Sequence, residues 1–331
     1  MKKVLLMAVA AMAAMISGCS AKSTAAAQET AETVTADSIA TVYYIKDITP
    51  DNLVKIYKAL GREAKGNNVA VKISTGESNK TNHLRPELIE PLMKAVNGTI
   101  VECNTAYAGN RNSTEAHLKA AEEHGYTKIA KVDIMDADGD SVLPINGEYL
   151  QIDHDIVGKH FFDYDFLIVL SHFKGHQMGG FGGALKNVAI GIASSAGKTW
   201  IHTAGKTANV DSIWGNIAEQ DHFLEAMADA NKAVINHMGD KILYINVANN
   251  LSIDCDCNGN PAAPEMADLG ILASLDPVAL DKASVDMVFN SNDPGKQHLI
   301  ERINQMHGTH TIDAAEKLGL GTQKYKIITL E

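Results

Sequence analysis

The stretch Phe166-Leu-Ile-Val-Leu-Ser-His172-Phe-Lys-Gly-His176 sets the architecture of this chain. Its first five residues are an unbroken apolar run, the pattern of a strand buried on both faces. Such strands belong to parallel sheets covered by helices on each side. The polar residues that follow are released at the carboxyl edge, where ligands gather in open α/β sheets.

Working outward, β-rich runs alternate with helical patterns on both sides of that strand. Residues 41–45, 69–73, 99–103 and 131–135 read as strands. Between them lie helices over 50–60, behind the N-cap Thr49 and before Gly61, over 86–96, ended by Asn97-Gly98, and over 113–124, capped by Ser113. On the far side come a helix over 221–238, strands over 242–247 and 270–273, and a helix from the N-cap Asp276 to Phe289. Helices over 297–306 and 312–318 and a strand over 326–330 complete the pattern. The predicted fold class is therefore α/β, a doubly wound and mainly parallel sheet with helices on both faces over residues 41–331. A division into two lobes near residues 150–165 is left open. Asp136, Asp138 and Asp140 stand at alternate positions, but the glutamate that a calcium loop needs at its twelfth position is Gly147, so the segment reads as a polar turn.

The N-terminal residues carry a different message. Lys2 and Lys3 precede an apolar run over 4–16 and then Ser17-Gly18-Cys19, the order of a secretory signal spanning 1–18. The run falls short of the roughly 20 residues of a permanent span. Ile16-Ser-Gly-Cys19 resembles the bacterial lipobox, which implies lipidation at Cys19 and a mature chain tethered by the Ala-, Thr- and Ser-rich residues 19–40. An ordinary cleaved signal with an incidental cysteine is the other reading. The expectation is a cell-envelope protein held to the membrane by its lipid, in the outer membrane of a Gram-negative source because Ser20 follows the cysteine. Of the 331 residues 45% are hydrophobic, enough for one substantial core, and the formal net charge of -11 without a basic stripe speaks against nucleic acid as a partner.

The chemistry concentrates after the central strand. His172 and His176, then Gly179-Gly-Phe-Gly182-Gly183-Ala-Leu-Lys186, place imidazoles, glycines and a lysine at one sheet edge. The histidines are candidate metal ligands or acid–base groups. Gly182 and Gly183 either let backbone N–H groups cradle an oxyanion ahead of a helix N-terminus or make a tight turn. Lys174, Lys186 and Lys198 could add charge. Neither a phosphate-loop nor a dinucleotide pattern is matched, since position 192 is Ile where a glycine would have to stand. His83 and Arg85 end the second strand at the same edge. Arg85 is either a clamp for a substrate carboxylate or phosphate or a solvated helix-entry charge. Cys255 and Cys257 either bind metal with an added ligand or are an incidental pair.

Taken together, Ser171 to His176, Gly182-Gly-Ala-Leu-Lys-Asn187, Gly191-Ile-Ala-Ser194, His202, Asp254-Cys-Asp-Cys257, Asp268-Leu-Gly-Ile271 and Ser274-Leu-Asp-Pro-Val-Ala279 with Asp281 resemble domain-of-unknown-function family 362. The resemblance runs from about residue 41 to 331. Many members carry a ferredoxin-like insert with clustered cysteines. No cysteine lies between His202 and Asp254 here, so a four-iron cluster is not expected. Gly180 to Lys186 and Gly191 to Ser194 are more distantly similar to nickel-pincer lactate racemases. That likeness implies a cofactor lysine at Lys186 and flanking histidines at His176 and His202, with Arg111 near the place of a further catalytic histidine. The function expected is an exported lipoprotein whose His176, Lys186 and His202 serve a metal- or cofactor-dependent reaction on a small anionic substrate. Divalent metal would be held among His172, His176, His202, Cys255 and Cys257. The alternative is a non-catalytic lipoprotein that captures a metal or organic anion.

Overall fold

The computed structural model describes residues 39–331. The signal, Cys19 and nearly all of the tether lie outside the described residues. The chain begins β1 (Ala40–Ile45), α1 (Pro50–Ala59), β2 (Val69–Lys72), α2 (Pro86–Val96), β3 (Gly98–Glu102), α3 (Thr114–Glu123) and β4 (Val132–Ile134). It continues through β5 (Asp140–Pro144), β6 (His154–Gly158), β7 (Phe166–His172), β8 (Lys174–His176), β9 (Gly180–Gly182), α4 (Ala184–Ile192) and α5 (Ser195–His202). Then follow α6 (Gln220–Met238), β10 (Ile242–Ala248), β11 (Gly270–Ser274), α7 (Pro277–Asn290), α8 (Gln297–Gln305), α9 (His310–Lys317) and β12 (Tyr325–Thr329).

Eight strands form one sheet in the order β12-β1-β11-β10-β7-β2-β3-β4. The pairings of β7 with β2 and β10, of β2 with β3, of β3 with β4 and of β1 with β12 are parallel; β11 runs antiparallel to both β1 and β10. The fold is thus the expected mainly parallel α/β sheet, and β7 occupies its interior. Alternate β7 residues feed two separate cores. Leu167 and Val169 pack with Val188 of α4, Val234 of α6 and Leu280 of α7, while Phe166, Ile168 and Leu170 pack with Ile56 of α1 and Leu92 of α2. Each such fully buried aliphatic contributes about 1.5–3 kcal/mol, which is why neither face tolerates a polar strand residue without a partner.

Local chemistry sets the helix boundaries. Thr49, Ser113 and Asp276 each accept a backbone N–H in the first turn of their helices, at 3.2, 3.4 and 2.9 Å. Asn97 ends α2 in the left-handed region at φ 48. Three elements escape the sequence pattern: the β5–β6 hairpin, the β8–β9 pair and α5. The described residues fall in one compact unit. The turn before β5 carries its three aspartates to different partners: Asp136 to the Asn104 and Ser195 N–H groups, Asp138 to His160 and Asp140 to Ser194. Among the described residues, no helix is long and apolar enough to cross a membrane.

Candidate active site

The carboxyl ends of β2 and β3 deliver Lys72 and Glu102 to the wall of a cavity of about 370 Å³. Lys186 and Asn187 of α4, Lys198 and His202 of α5, His176 of β8, and Tyr107, Arg111 and Cys257 from loops line it as well. Glu102 ties the floor together. It accepts from Lys72 Nζ at 2.8 Å, Arg111 Nη1 at 3.3 Å and the Thr75 N–H at 2.8 Å. Arg111 also donates Nε to Glu77 at 2.9 Å. Burial pushes the Glu102 carboxyl up, but Lys72 and Arg111 overcome it and hold the group at about 2.

The remaining two cavity lysines have no carboxylate partner among the described residues. Lys198 is buried and donates to the carbonyls of Ala193 (2.6 Å) and Cys103 (3.5 Å). Neither Lys198 nor Lys186 has a carboxylate within 4.0 Å among the described residues. Counting Lys72, Arg111, Lys186 and Lys198 against the single lining carboxylate Glu102, the cavity wall carries an excess of positive charge.

The two cavity histidines are set in opposite tautomers. His202 Nδ1 donates to the Lys198 carbonyl at 2.6 Å, leaving Nε2 as the basic nitrogen; its ring stacks on Phe223. Burial, with the charges of His176, Lys186 and Lys198, lowers its pKa to about 4. His176 Nδ1 instead accepts the backbone N–H groups of Gly179 (2.8 Å) and Met178 (3.2 Å), so the neutral ring carries its proton on Nε2. Burial and Lys186 lower its pKa too. At neutral pH one imidazole accepts a proton and the other donates one.

That His176 proton is turned to sulfur. Nε2 lies 3.8 Å from Cys257 Sγ, and Lys186 Nζ lies 3.8 Å from Cys255 Sγ. The donor atoms of His176, Cys255 and Cys257 fall within 4.8 Å of one another, a group that could hold a metal ion. Metal on Nε2 would have to displace the proton while Nδ1 keeps accepting from the backbone, the reverse of the usual ligand arrangement, in which the far nitrogen donates. A hydrogen bond from Cys257 and the charges of Lys186, Lys174 and His176 bring the Cys255 thiol well below its ordinary range despite burial.

A family model described as a domain of unknown function, DUF362, matches residues 69–286. The chain belongs to the DUF362 family. Among solved structures, this DUF362 chain is similar to the lactate racemase apoprotein from Thermoanaerobacterium thermosaccharolyticum. The identity is 18% and the TM-score 0.36, covering 62% of this chain and 50% of that one. It is also similar to a protein from Thermotoga maritima, with 13% identity and a TM-score of 0.41, over 81% of this chain and 58% of that one. The DUF362 chain therefore spans 50% and 58% of the length of these two structures, and the likeness is too distant to bear on activity. No curated protein matches it.

The DUF362 structure brings His176, Lys186 and His202 to one cavity. Lys186 and His202 share that wall, and His202 has its Nε2 available. Arg111 is held by Glu77 and Glu102. Other expected site residues are placed elsewhere. His172, expected as a metal ligand, has both ring nitrogens engaged, with Asp256 at 2.8 Å and the Asn249 carbonyl at 2.6 Å. His83 and Arg85, expected to bind substrate, turn to each other at 2.8 Å and to Thr81, and His83 stacks on His124 away from the cavity. The oxyanion cradle expected at Gly182 and Gly183 is corrected too. The buried Asp281 carboxylate of α7 takes the N–H groups of Ala184 and Leu185 at 2.8 and 2.9 Å, and a Cβ on Gly183 would stand 2.4 Å from its Oδ1. The protein's own anion fills that nest. Lys72 and Glu102 were missed, although a lysine at the end of the all-apolar Val69-Ala-Val71 run was a visible signal that a buried partner must exist.

Proposed function

We propose that this chain is an enzyme that binds a small organic anion in the cavity and moves a proton on it. Lys198, which has no carboxylate partner among the described residues, supplies the positive charge that selects an anion, Lys186 adds to it beside the Cys255 sulfur, and Arg111 and Lys72 extend the field from the floor. His202 Nε2 serves as the base and the His176 Nε2–H as the acid. The observation that carries the reading is the pair of neutral histidines in opposite tautomers on one cationic wall. A volume of about 370 Å³ suits a molecule of metabolite size. A divalent metal or a group attached to Lys186 would add polarisation of the substrate; the residues named here would still bind, orient and exchange the proton.

Trp214 lies at the cavity wall and is 64% exposed, so its fluorescence reports occupancy. Titrating the purified chain with mono- and dicarboxylates and phosphate esters should give saturable quenching by at least one of them. Lys198→Met should weaken that binding by about tenfold or more, a loss of roughly 1.4 kcal/mol. The bound acid should take up solvent deuterium at carbon in heavy water, seen by NMR, and His202→Gln should stop the exchange while keeping most of the binding. Because the His202 pKa is lowered to about 4, the base form persists in mild acid and the exchange rate should fall only as pH drops through about 4. Binding without exchange would leave a capture protein; no binding, or binding indifferent to Lys198→Met, would sink the proposal.

We further propose that the chain works at the cell envelope, anchored through Cys19. Metabolic labelling with a fatty-acid analogue should tag the wild type and spare Cys19→Ala. Equal labelling of the two would refute anchoring.

A further inference from the structure

Beyond the proton-transfer reading, the sulfur side of the cavity has chemistry of its own. Cys257 lines the cavity, and Cys255 sits behind it at 1% exposure. The segment between them is pinned. Asp256 accepts from His172 at 2.8 Å and lies 3.1 Å from Lys174 Nζ, and its carbonyl accepts the Glu77 N–H at 2.8 Å. The Cys257 N–H in turn donates to Cys255 Sγ at 3.4 Å. With Lys186 Nζ on Cys255 and the His176 Nε2–H on Cys257, three N–H donors from three elements converge on two sulfurs. Donors, not ligand lone pairs, surround the pair, which is the environment of a stabilised thiolate rather than of a metal. Cys103 offers the contrast. It is buried, its Sγ donates to the Ile192 carbonyl, and burial pushes its thiol far up.

We propose that Cys255 and Cys257 form a dithiol that exchanges with small anionic disulfides entering the cavity. The Cys257 thiol passes its proton to the neighbouring Cys255 sulfur and attacks one sulfur of the incoming disulfide, forming a mixed disulfide and releasing one thiolate, which takes that proton on from Cys255. Cys255, as thiolate, then attacks Cys257 Sγ and releases the second. The two cysteines lose two electrons and the one proton they share; the external disulfide gains both electrons and leaves as one thiol and one thiolate. An external thiol runs the sequence backwards. The cationic wall favours an anionic partner for the same reason that it favours an anionic ligand.

The test uses the full chain and dithiobis(nitrobenzoate), an anionic disulfide whose released thiolate is coloured. The wild type should release two thiolates from this pair, and the peptide holding both cysteines should become two hydrogens lighter with no adduct. Mass mapping keeps Cys19 and Cys103 out of the count. Cys255→Ser should release one and retain a stable adduct on Cys257, whereas Cys257→Ser should react at least about tenfold more slowly. Cystamine, a cationic disulfide, should oxidise the wild type about tenfold more slowly than an anionic aliphatic disulfide at low salt, a comparison that needs no variant. Separate adducts on both sulfurs would overturn the proposal, as would indifference to the charge of the disulfide. Thiols that react only after a chelator has removed stoichiometric zinc would assign the site to a metal instead, and would also overturn it.

Discussion

Replacing Glu102 by Gln should lower the unfolding free energy by about 3–5 kcal/mol, the cost typical of removing one partner from a buried ion pair. The size follows from what stays behind. Lys72 is 1% exposed and Arg111 4%, burial already pulls the Lys72 pKa down against the support of Glu102, and the variant would leave both groups buried without their shared counter-ion. Gln retains one acceptor for three or more donors, so at least one cation loses its main contact and its compensation together. Urea unfolding at neutral pH measures the loss, with an unchanged slope showing that both chains unfold the same way. Removing Lys72 as well, in Glu102→Gln with Lys72→Met, should recover part of the loss, since replacing both partners is far milder than stranding one. A loss below about 1 kcal/mol would show that the cluster is solvated in a way the structure does not suggest. The pH dependence has a fixed sign. The folded carboxyl is held at about 2, below its unfolded value of 4.5, so its contribution is fully present above pH 4.5 and is lost as pH falls toward 2.

Asp281→Ala should cost about 3 kcal/mol and weaken anion binding at the same time. The carboxylate accepts the first free N–H groups of α4, from Ala184 and Leu185, and the Asn246 side chain at 2.8 Å, all inside the core. Truncation leaves these donors without acceptors, at about 1–3 kcal/mol for each that water cannot reach. Lys186 stands in the first turn of the same helix, so fraying there moves the ammonium that lines the cavity. Burial raises the Asp281 pKa to about 6, against the pull of its hydrogen bonds. A raised acid destabilises the fold above pH 6 and is relieved as pH falls toward 4, so the advantage of wild type over variant should widen on mild acidification. Chemical denaturation at pH 7 and pH 5 tests this; a gap that narrows at pH 5 would contradict the burial of the carboxylate. The ligand titration, repeated on the variant, tests the coupling to Lys186.

Sheet and helices were legible because strand and helix periods and N-caps are local signals. Thr49, Ser113 and Asp276 each do what their position before a helix announces. Helix α5 was not legible, since Ser195-Ala-Gly-Lys is a weak helix former. Its Gly197 is required by a distant neighbour: a Cβ there would stand 1.9 Å from the Ile156 carbonyl oxygen. In the site, His176, Lys186 and His202 could be read from residue type and spacing. What spacing could not show was which anion the glycine-rich turn already holds. Asp281 lies almost a hundred residues downstream and fills the nest that looked open. His83 and Arg85 reach the right sheet edge but satisfy each other, a pairing decided by side-chain direction rather than by position.

The strand order has a kinetic consequence. β1, the first strand of the described chain, is bonded on one side to β11 and on the other to β12, with Tyr43 opposite both Ala273 and Ile328. Its partners therefore lie some 230 and 285 residues away along the chain. Loop-closure entropy makes such pairings late, and topologies dominated by them fold slowly. A chain emerging N-terminus first could assemble β2, β3 and β4 early, but β1 must wait as an unpaired edge until the last residues arrive. In that interval the exposed strand is the segment most open to a chaperone or to wrong pairing.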